Sequence, residues 1–292
     1  MRPLFSIIVP TYNSTRYLNE TINSILAQKF PKSMYEVIIV DGSTNNIVYR
    51  FYKNKYSKYK VIKYIKKRSN LPEALNIGIK NMKGVFLKQL DSDDLLATRT
   101  ALKEYYSYTK RHKDYLVFYS DAKIINSKNQ TIRIEKEKSF DGLDLARRIW
   151  QGSIGYPSSY LIHRKAFNIV GLFNEKNLQA EDWEWRIRAV FLNNLSFLHI
   201  PKPLVAYRRH NMQKSLVEMR SSALYLYNMK LKLAEEIKHK IKEKEKSDLI
   251  KVSLTKALVS HIKRNFEIRF GIKDKKSYNK FIKPLEKRIG SV

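Results

Sequence analysis

Residues 5–13 read Phe-Ser-Ile-Ile-Val-Pro-Thr-Tyr-Asn, an apolar run that ends in a proline and a polar cluster. A short apolar run of this kind, bounded by turn residues, is typical of a buried β-strand. Residues 13–15, Asn-Ser-Thr, are a helix-start signal, and the apolar residues of segment 17–28 recur on one helical face. This stretch therefore predicts a buried strand followed by an amphipathic helix.

Three more apolar runs follow at residues 36–40, 61–64 and 85–90, and a helix is predicted over residues 73–82. Strands that alternate with helices in this way indicate βαβ units and a sheet that helices cover on both faces. The predicted fold class is therefore α/β, with a mainly parallel central sheet.

The remaining sequence divides into a region of short elements and a lysine-rich region. Residues 215–292 predict basic helices, over about 215–242, 245–270 and 275–288. We expect one domain over residues 1–214 and a basic helical C-terminal region after it. The short elements are expected as strands within 115–134 and at 159–163, 196–200 and 204–207, and as helices at 94–110, 141–150 and 181–191.

The composition excludes several classes of protein and of site. The chain has 292 residues, of which 43% are hydrophobic, with 9 Gly, 8 Pro and no Cys. It can bury a sizeable core, and the lack of cysteine excludes disulfides, a thiol nucleophile and thiolate metal ligands. No apolar run reaches the roughly 18 residues that cross a bilayer, and no signal-peptide pattern follows Met1. We therefore expect a cytoplasmic protein, either soluble or peripheral at the inner face of the cell membrane.

The chain is strongly basic, with 57 Lys and Arg against 27 Asp and Glu and a formal net charge of +30. Such a field attracts polyanions, including nucleic acid, anionic lipid and sugar nucleotides. A lysine-rich surface without any partner gives the same total, so net charge discriminates weakly between functions. The C-terminal helices are expected either to lie on an anionic membrane or to pack on the domain or form a homodimer.

Polar clusters follow three of the predicted strands: Thr11-Tyr12-Asn13, Asp41-Gly42-Ser43 and Asp91-Ser92-Asp93. In an open parallel sheet, ligands bind outside the carboxyl ends of the strands. The three clusters therefore predict a ligand site at one edge of the sheet.

Asp91 and Asp93 place two carboxylates directly after a buried strand. Alternate residues of an extended segment point the same way, and hard oxygen donors suit Mg2+ or Mn2+ that bridges a diphosphate. A solvated turn before a helix gives the same pattern.

Asp41 also has two interpretations. Its carboxylate can accept hydrogen bonds from a base or ribose, or Asp41 is simply a turn residue before Gly42.

Glu181 and Asp182 open a predicted helix that carries Trp183 and Trp185. Acidic residues are favoured at a helix N-terminus, which makes simple capping one interpretation. A carboxylate flanked by aromatic residues is also well placed to be desolvated and to act as a general base. Asp182 is therefore a candidate catalytic base.

These motifs, in this order, resemble glycosyltransferase family 2, the inverting enzymes with a GT-A fold, over about residues 4–212. No single motif is decisive, but the ordered series is specific. The matching segments are 6–13, 36–44, 68–78, 88–94, 157–164, 170–175, 180–183 and 207–210.

The resemblance implies a role for individual residues. Asp182 is the implied catalytic base, Asp93 is the implied ligand of Mn2+ or Mg2+, and His210 is a further candidate ligand. Arg208 and Arg209 are candidate phosphate contacts, or exposed arginines of a basic protein. The residues implied in nucleotide-sugar binding are Pro10, Thr11, Tyr12, Asp41, Asn76, Asp91 and Ser92, with Asp41 at the base and Asp91 at the ribose or donor sugar.

The resemblance also implies the reaction. A single sugar would move, with inversion, from a UDP-, GDP- or dTDP-sugar to a hydroxyl of a glycan or lipid-linked glycan, as in the biosynthesis of cell-surface polysaccharides or glycoconjugates. Residues 1–94 would bind the nucleotide sugar, and residues 95–214 would bind the acceptor.

Some features depart from the family pattern. Asp41 alone precedes Gly42, where two acidic residues are common, and Leu75 stands where an arginine is common before Asn76. The Gln-x-x-Arg-Trp motif of processive members is absent. We therefore expect transfer of single residues rather than polymerisation.

Two other functions stay open on the sequence. A sugar-phosphate nucleotidyltransferase would use a similar sheet, but it should carry a glycine-rich phosphate loop, and residues 10–15 contain no Gly. A basic protein that binds nucleic acid or a membrane without catalysis would account for the charge. It would not account for acidic clusters at strand ends, which repel phosphate, so nucleic acid is not an expected partner.

Overall fold

The computed structural model describes residues 2–152, 154–178, 180–210, 232–236, 244–246 and 248–250. The chain divides into two compact units, Met1–His210 and Asn211–Val292. The described stretches of the second unit are helical, and the rest of the basic helices predicted for residues 215–292 lies outside the described residues. None of the helices within the described ranges combines the length and the hydropathy that a membrane span requires.

The described residues of the first unit form nine strands and seven α-helices. The strands are β1 (Phe5–Thr11), β2 (Tyr35–Asp41), β3 (Ile62–Lys66), β4 (Phe86–Gln89), β5 (Leu95–Leu96), β6 (Val117–Ile125), β7 (Thr131–Glu135), β8 (Tyr160–His163) and β9 (Phe197–Arg208). The helices are α1 (Leu18–Leu26), α2 (Ile47–Lys55), α3 (Leu71–Asn81), α4 (Ala101–Arg111), α5 (Gly142–Gln151), α6 (Arg164–Val170) and α7 (Glu181–Ile187). A 3-10 turn, Pro157–Ser159, precedes β8, and a π-helical turn, Arg188–Leu192, follows α7.

One sheet holds these strands in the order β3-β2-β1-β4-β8-β6-β9-β5, with β7 paired to β6. β3, β2, β1 and β4 are parallel to one another. β8 is antiparallel to both β4 and β6, and β6 pairs with β9 in parallel. Parallel pairing therefore forms one half of the sheet, as the sequence predicts, and mixed pairing forms the other half.

All seven residues of β1 are buried, which explains its almost continuous apolar sequence. Ile7 and Val9 pack in the main core with Leu18 and other residues of α1. Ile8 points to the opposite face, where a Cβ on Gly78 of α3 would lie 2.6 Å from Ile8 Cγ2. Helices thus cover both faces of the parallel strands, as the sequence predicts.

Some elements differ from the sequence prediction, because pairing with distant segments overrides the local pattern. The helix predicted at residues 94–110 begins late, since Leu95–Leu96 instead form β5 against β9. The two strands predicted at 196–200 and 204–207 are one strand, β9. Helix α2 was not predicted from the sequence; Val48 is its one buried residue, and its other apolar and aromatic residues are exposed or only partly buried.

The turn before β4 approaches β1 closely. Gly84 N donates to Ser6 Oγ at 2.8 Å and to Glu36 Oε1 at 3.2 Å. Ser6 Oγ donates to the same carboxylate oxygen at 2.6 Å. A Cβ on Gly84 would lie 2.6 Å from Ser6 N and 2.8 Å from the carbonyl carbon of Phe5. This contact fixes the start of the strand that leads to Asp91.

We expect Gly84→Ala to lower the free energy of unfolding by about 1–3 kcal/mol, because a methyl group against the backbone of β1 forces the two strands apart. Gly152→Ala is the matched control, since a Cβ there meets no atom within 4 Å. The control should change the free energy by less than about 0.5 kcal/mol. Urea unfolding followed by circular dichroism measures both, and equal losses in the two variants would contradict the close contact.

Candidate active site

The carboxyl ends of β1, β2 and β4 meet at one edge of the sheet. Thr11 pairs with Asp41 in the parallel register of β1 and β2. Leu90 N, just after β4, donates to Ile8 O of β1 at 3.0 Å. The three polar clusters of the sequence therefore follow three adjacent strands and come together at this edge.

Asp41 is fully buried at the end of β2. Its Oδ1 accepts a hydrogen bond from Ser43 N at 2.9 Å, and its Oδ2 accepts one from the Tyr64 hydroxyl. The Lys66 ammonium lies 3.7 Å from Oδ2. Burial, together with the Asp41 carboxylate, raises the pKa of Tyr64, so this hydroxyl stays a donor. The carboxylate is thus held by three groups of the chain, and its contact with a nucleotide base stays a prediction.

The loop after β1 is tied to the loop after β2. Asn13 N donates to Ser43 Oγ at 2.7 Å, and Thr44 N donates to Asn13 Oδ1 at 3.1 Å. Asn13 is left-handed, with a φ of 48°, a conformation that asparagine adopts more readily than most residues. The Tyr12 side chain is 59% exposed, whereas the two residues before it are buried. Tyr12 is therefore an aromatic surface that a ligand can reach at this edge.

The acidic turn after β4 is partly buried: residues 91–93 are half-buried, and Asp94 is buried. Asp91 Oδ1 accepts a hydrogen bond from Gln89 Nε2 at 2.9 Å, and Asp91 N donates to Ser158 Oγ at 3.1 Å. Burial and the charge of Asp93 raise the pKa of Asp91 to about 6. Burial and the charges of Asp93 and Asp91 also raise the pKa of Asp94 well above its ordinary value. The surrounding chain therefore leaves part of the negative charge of this turn uncompensated.

His210 and Arg208 support Asp93 from two sides. His210 Nε2 lies 2.9 Å from Asp93 Oδ2. Arg208 is fully buried, and its Nε donates to Asp93 O at 2.7 Å. Its Nη2 donates to Glu20 Oε2 at 2.7 Å, and its guanidinium carbon lies 4.3 Å from the centroid of the Tyr17 ring. Arg208 is thus a buried structural support of the acidic turn rather than an exposed arginine, and its contact with phosphate stays a prediction.

Asn76 and Ser92, two of the predicted donor-binding residues, make contacts within the protein. Asn76 Nδ2 donates to Phe173 O and to Glu175 Oε1, each at 2.9 Å, and its Oδ1 accepts from Phe173 N at 3.0 Å. Ser92 O accepts a hydrogen bond from Thr21 Oγ1 at 2.9 Å. Asn76 thereby fixes the loop after α6, and a contact of either residue with the donor stays a prediction.

Asp182 lies in the first turn of α7, with 18% of its side chain exposed. Its Oδ1 accepts a hydrogen bond from Trp183 N at 2.8 Å, and its Oδ2 forms an ion pair with Arg186 Nη2 at 2.5 Å. The buried Arg186 guanidinium carbon lies 4.6 Å from the centroid of the Tyr160 ring. The pKa of Asp91 is raised mainly by burial and by the charge of Asp93, and the charge of Asp182 raises it further. The two carboxylates are linked through one short segment, because Asp91 N donates to Ser158 Oγ and the guanidinium that pairs with Asp182 lies over the Tyr160 ring.

The side chains at this edge fit a hard divalent cation that arrives with a ligand. Within the described residues, no group of three or more His, Asp or Glu side chains is arranged to hold a metal ion by itself. Mg2+ commonly takes one or two protein carboxylates and completes its coordination with water and substrate phosphates. Asp93 and His210 could provide two protein ligands of such a cation. Asp91 and Asp94 add negative charge beside them that the chain only partly compensates.

Sequence reasoning did not single out the buried cations of the site. Lys88 in β4 has no exposed surface, and Arg186 in α7 is 3% exposed. Charged side chains are rarely buried unless they are paired. The available signal for Lys88 was a lysine in the middle of the apolar run at residues 85–90.

Comparisons with known sequences identify relatives. The model of the family described as "Glycosyl transferase family 2" matches residues 6–170, more than half of the chain. The chain is 27% identical over 217 residues to an uncharacterized glycosyltransferase of Rickettsia typhi, which covers 72% of this chain and 65% of that protein. It is 33% identical over 127 residues to the poly(ribitol-phosphate) beta-N-acetylglucosaminyltransferase TarS of Staphylococcus aureus, which covers 42% of this chain and 21% of TarS. The chain thus spans less than two thirds of the length of these two relatives.

Solved structures share the fold. Residues 1–349 of TarS, in complex with UDP-GlcNAc, superpose with a TM-score of 0.69 at 21% identity, over 98% of this chain and 79% of that chain. The mannosyltransferase PcManGT from Pyrobaculum calidifontis, in complex with GDP-Man and Mn2+, superposes with a TM-score of 0.59 at 16% identity, over 88% of this chain and 74% of that chain. The fold is therefore GT-A, which confirms the prediction from the sequence. With the strand ends, the acidic turn and the sequence match in agreement, the chain belongs to glycosyl transferase family 2.

Proposed function

We propose that the chain is an inverting glycosyltransferase that moves a single sugar from a nucleotide-diphosphate sugar to a hydroxyl of a glycan or lipid-linked glycan. One observation carries the proposal: Asp91 N of the acidic turn donates to Ser158 Oγ, and two residues later the Tyr160 ring lies 4.6 Å from the guanidinium carbon of Arg186, which pairs with the candidate base Asp182. A base close to the donor motif is what a direct displacement by an acceptor hydroxyl requires.

The relatives support a nucleotide-sugar donor. TarS has been crystallised in complex with UDP-GlcNAc and with UDP, and PcManGT in complex with GDP-Man and Mn2+. In this chain, residues 1–94 hold Asp41, the exposed Tyr12 ring and the acidic turn, and we propose that they bind a UDP-, GDP- or dTDP-sugar. Residues 95–214 hold Asp182 and would bind the acceptor.

Asp93 and His210 are the proposed protein ligands of Mn2+ or Mg2+. A divalent cation, when bound, would supply positive charge beside the diphosphate leaving group. Gln89 and Ser158 orient Asp91, which would face the ribose or the donor sugar.

Asp182 would accept the proton of the acceptor hydroxyl as its oxygen forms a bond to the anomeric carbon. The bond between that carbon and the diphosphate oxygen breaks in the same step, and its electron pair leaves on the diphosphate. Attack opposite the leaving group inverts the configuration at this carbon. Because Arg186 and Trp183 N hold both oxygens of Asp182, the direction of the carboxylate is set before an acceptor binds.

The resemblance to the family also supports a proposal for the biosynthetic role of the enzyme and for its C-terminal region. The reaction would serve the biosynthesis of a cell-surface polysaccharide or glycoconjugate, and residues 215–292 would bring the enzyme to an anionic membrane or form a homodimer contact. Basic amphipathic helices bind anionic lipid through charge and buried apolar area.

Asp182→Asn is expected to reduce kcat by about 100- to 10,000-fold, because an amide of the same shape cannot take up the proton. The Kd of the donor should change by less than about threefold, since Asp182 acts on the acceptor. Asp144→Asn is the matched control, because this carboxylate is exposed and paired with Arg147. Sugar transfer and donor titration calorimetry measure both variants, with the donor chosen by thermal-shift screening of UDP-, GDP- and dTDP-sugars. A fully active Asp182→Asn enzyme would rule out this base.

Asp93→Ala should weaken donor binding in the presence of Mn2+ by at least about tenfold, because a carboxylate ligand is lost. The wild type in excess chelator should bind the donor as weakly as the variant. Asp114→Ala, at an exposed carboxylate, is the control and should bind like the wild type. Undiminished transfer by the wild type in excess chelator would contradict the role of a divalent cation.

Tyr12→Ala should raise the Kd of the nucleoside diphosphate by about 5- to 100-fold, because stacking of a base on an aromatic ring is worth about 1–3 kcal/mol. Tyr12→Phe keeps the ring and should bind like the wild type. Tyr59→Ala is the control, since Tyr59 is a partly exposed tyrosine, 37% accessible, away from the site edge. Equal affinity of the Tyr12→Ala and Tyr59→Ala variants would show that Tyr12 does not contact the base.

A further inference from the structure

A lysine is buried in the strand that leads to the acidic turn. Lys88 lies in β4, and its side chain has no exposed surface. Its ammonium donates hydrogen bonds to the carbonyl oxygens of Ser158 and Tyr160, the second at 3.2 Å. It also lies 5.2 Å from the centroid of the Tyr105 ring. A buried ammonium is unfavourable unless it is paired, so this position needs a reason beyond filling the core.

The contact with Ser158 leads to the donor side of the site. Ser158 lies in the 3-10 turn Pro157–Ser159, and its Oγ accepts the hydrogen bond from Asp91 N at 3.1 Å. By binding the carbonyl of Ser158, the Lys88 ammonium fixes the turn that holds the backbone of Asp91.

The contact with Tyr160 leads to the candidate base. Tyr160 begins β8, and its ring lies under the Arg186 guanidinium at 4.6 Å. Arg186 in turn holds Asp182 at 2.5 Å. The second hydrogen bond of the same ammonium therefore fixes the strand on which the Arg186–Asp182 pair rests.

We infer that Lys88 is a positioning residue that sets the placement of Asp91 relative to Asp182, and so of the donor relative to the base. The inference rests on the proposed function, which assigns Asp91 and Asp182 their roles. Lys88 does not reach either substrate, because its ammonium is enclosed and binds two backbone carbonyls.

The acidic turn offsets part of the cost of burying the Lys88 ammonium. Burial lowers the pKa of Lys88 to about 7, and the carboxylates of Asp94 and Asp91 oppose that shift. The ammonium and the acidic turn therefore favour each other's charged forms. An apolar side chain of the same length would fill the space but would provide neither the hydrogen bonds nor the charge.

Lys88→Met tests the inference. We expect kcat for sugar transfer to fall about 10- to 100-fold, because a misplacement of about 1 Å between reacting groups has an effect of this size. The Kd of the nucleoside diphosphate should change much less than kcat, by no more than about fivefold, because Asp41 and Tyr12 keep their places and only the contact of Asp91 is disturbed. Lys88→Gln keeps N–H donors without the charge and should lower the free energy of unfolding less than Lys88→Met. It should lose part of kcat in the same way, so the inference stays testable if Lys88→Met does not fold.

Tyr35→Phe is the control for a loss of stability alone. Tyr35 is buried at the start of β2, at the opposite end of that strand from Asp41, and its hydroxyl donates to Ile25 O at 3.3 Å. This variant should lower Tm while kcat and Kd stay at their wild-type values. If kcat falls as much in Tyr35→Phe as in Lys88→Met, the effect is one of stability and the inference is overturned.

Amide hydrogen exchange distinguishes a failure of this inference from a failure of the proposed function. In Lys88→Met, exchange should become faster in peptides that span residues 90–96 and 156–163 and should not change in a peptide that spans 35–41. This result supports the positioning role even if the wild type transfers no sugar, in which case the proposed function is rejected. Unchanged exchange in the first two peptides, or a kcat within about twofold of the wild type in a folded variant, overturns the inference.

Discussion

β1 lies between β2 and β4 and is parallel to both, and the placement of the candidate site depends on this pairing. Parallel neighbours end at the same edge of a sheet, so segments far apart in the sequence bring their polar residues to one place. The register sets the positions more closely, because Thr11 pairs with Asp41 and Leu90 N reaches Ile8 O. A slip of one residue would turn each side chain to the opposite face. The contact of Gly84 with β1 holds β4 in this register from its other end.

Buried cationic side chains bind the acidic residues of the site or the segments that hold them. Arg208 holds the backbone of Asp93, and Arg186 pairs with Asp182. Lys88 binds the carbonyl of Ser158, whose hydroxyl accepts the hydrogen bond from Asp91 N. Even so, burial and the proximity of the carboxylates raise the pKa values of Asp91 and Asp94. A site that keeps part of its negative charge suits a cation that arrives with a phosphate ligand. The net charge of +30 is therefore less informative than the few acidic residues placed within it.

The strand ends could be predicted from the sequence, because each apolar run changes abruptly into polar residues. The partners of the side chains could not, because they come from distant segments. Arg208 meets Asp93 and Glu20, which lie 115 and 188 residues away, and in a sequence a buried arginine looks like an exposed one. Asn76 illustrates the same limit, since its amide is engaged by residues 97 and 99 positions later. The local sequence pattern thus predicts where a buried strand ends in polar residues. Tertiary contacts decide which of these residues remain available to a ligand.

The sheet changes from parallel to antiparallel pairing between β4 and β8, and Lys88 lies at this junction, opposite Leu161. The parallel strands carry the residues proposed to bind the donor, and the mixed half leads to α7 and Asp182. The boundary between the two architectures therefore also separates the residues proposed to bind the donor from the candidate base. A fold that persists at 21% identity to TarS can change either half as its ligands change, because function lies in sites that the fold supports. What such changes must preserve is the relative placement of the two halves, and in this chain one buried ammonium bound to Ser158 and Tyr160 links them.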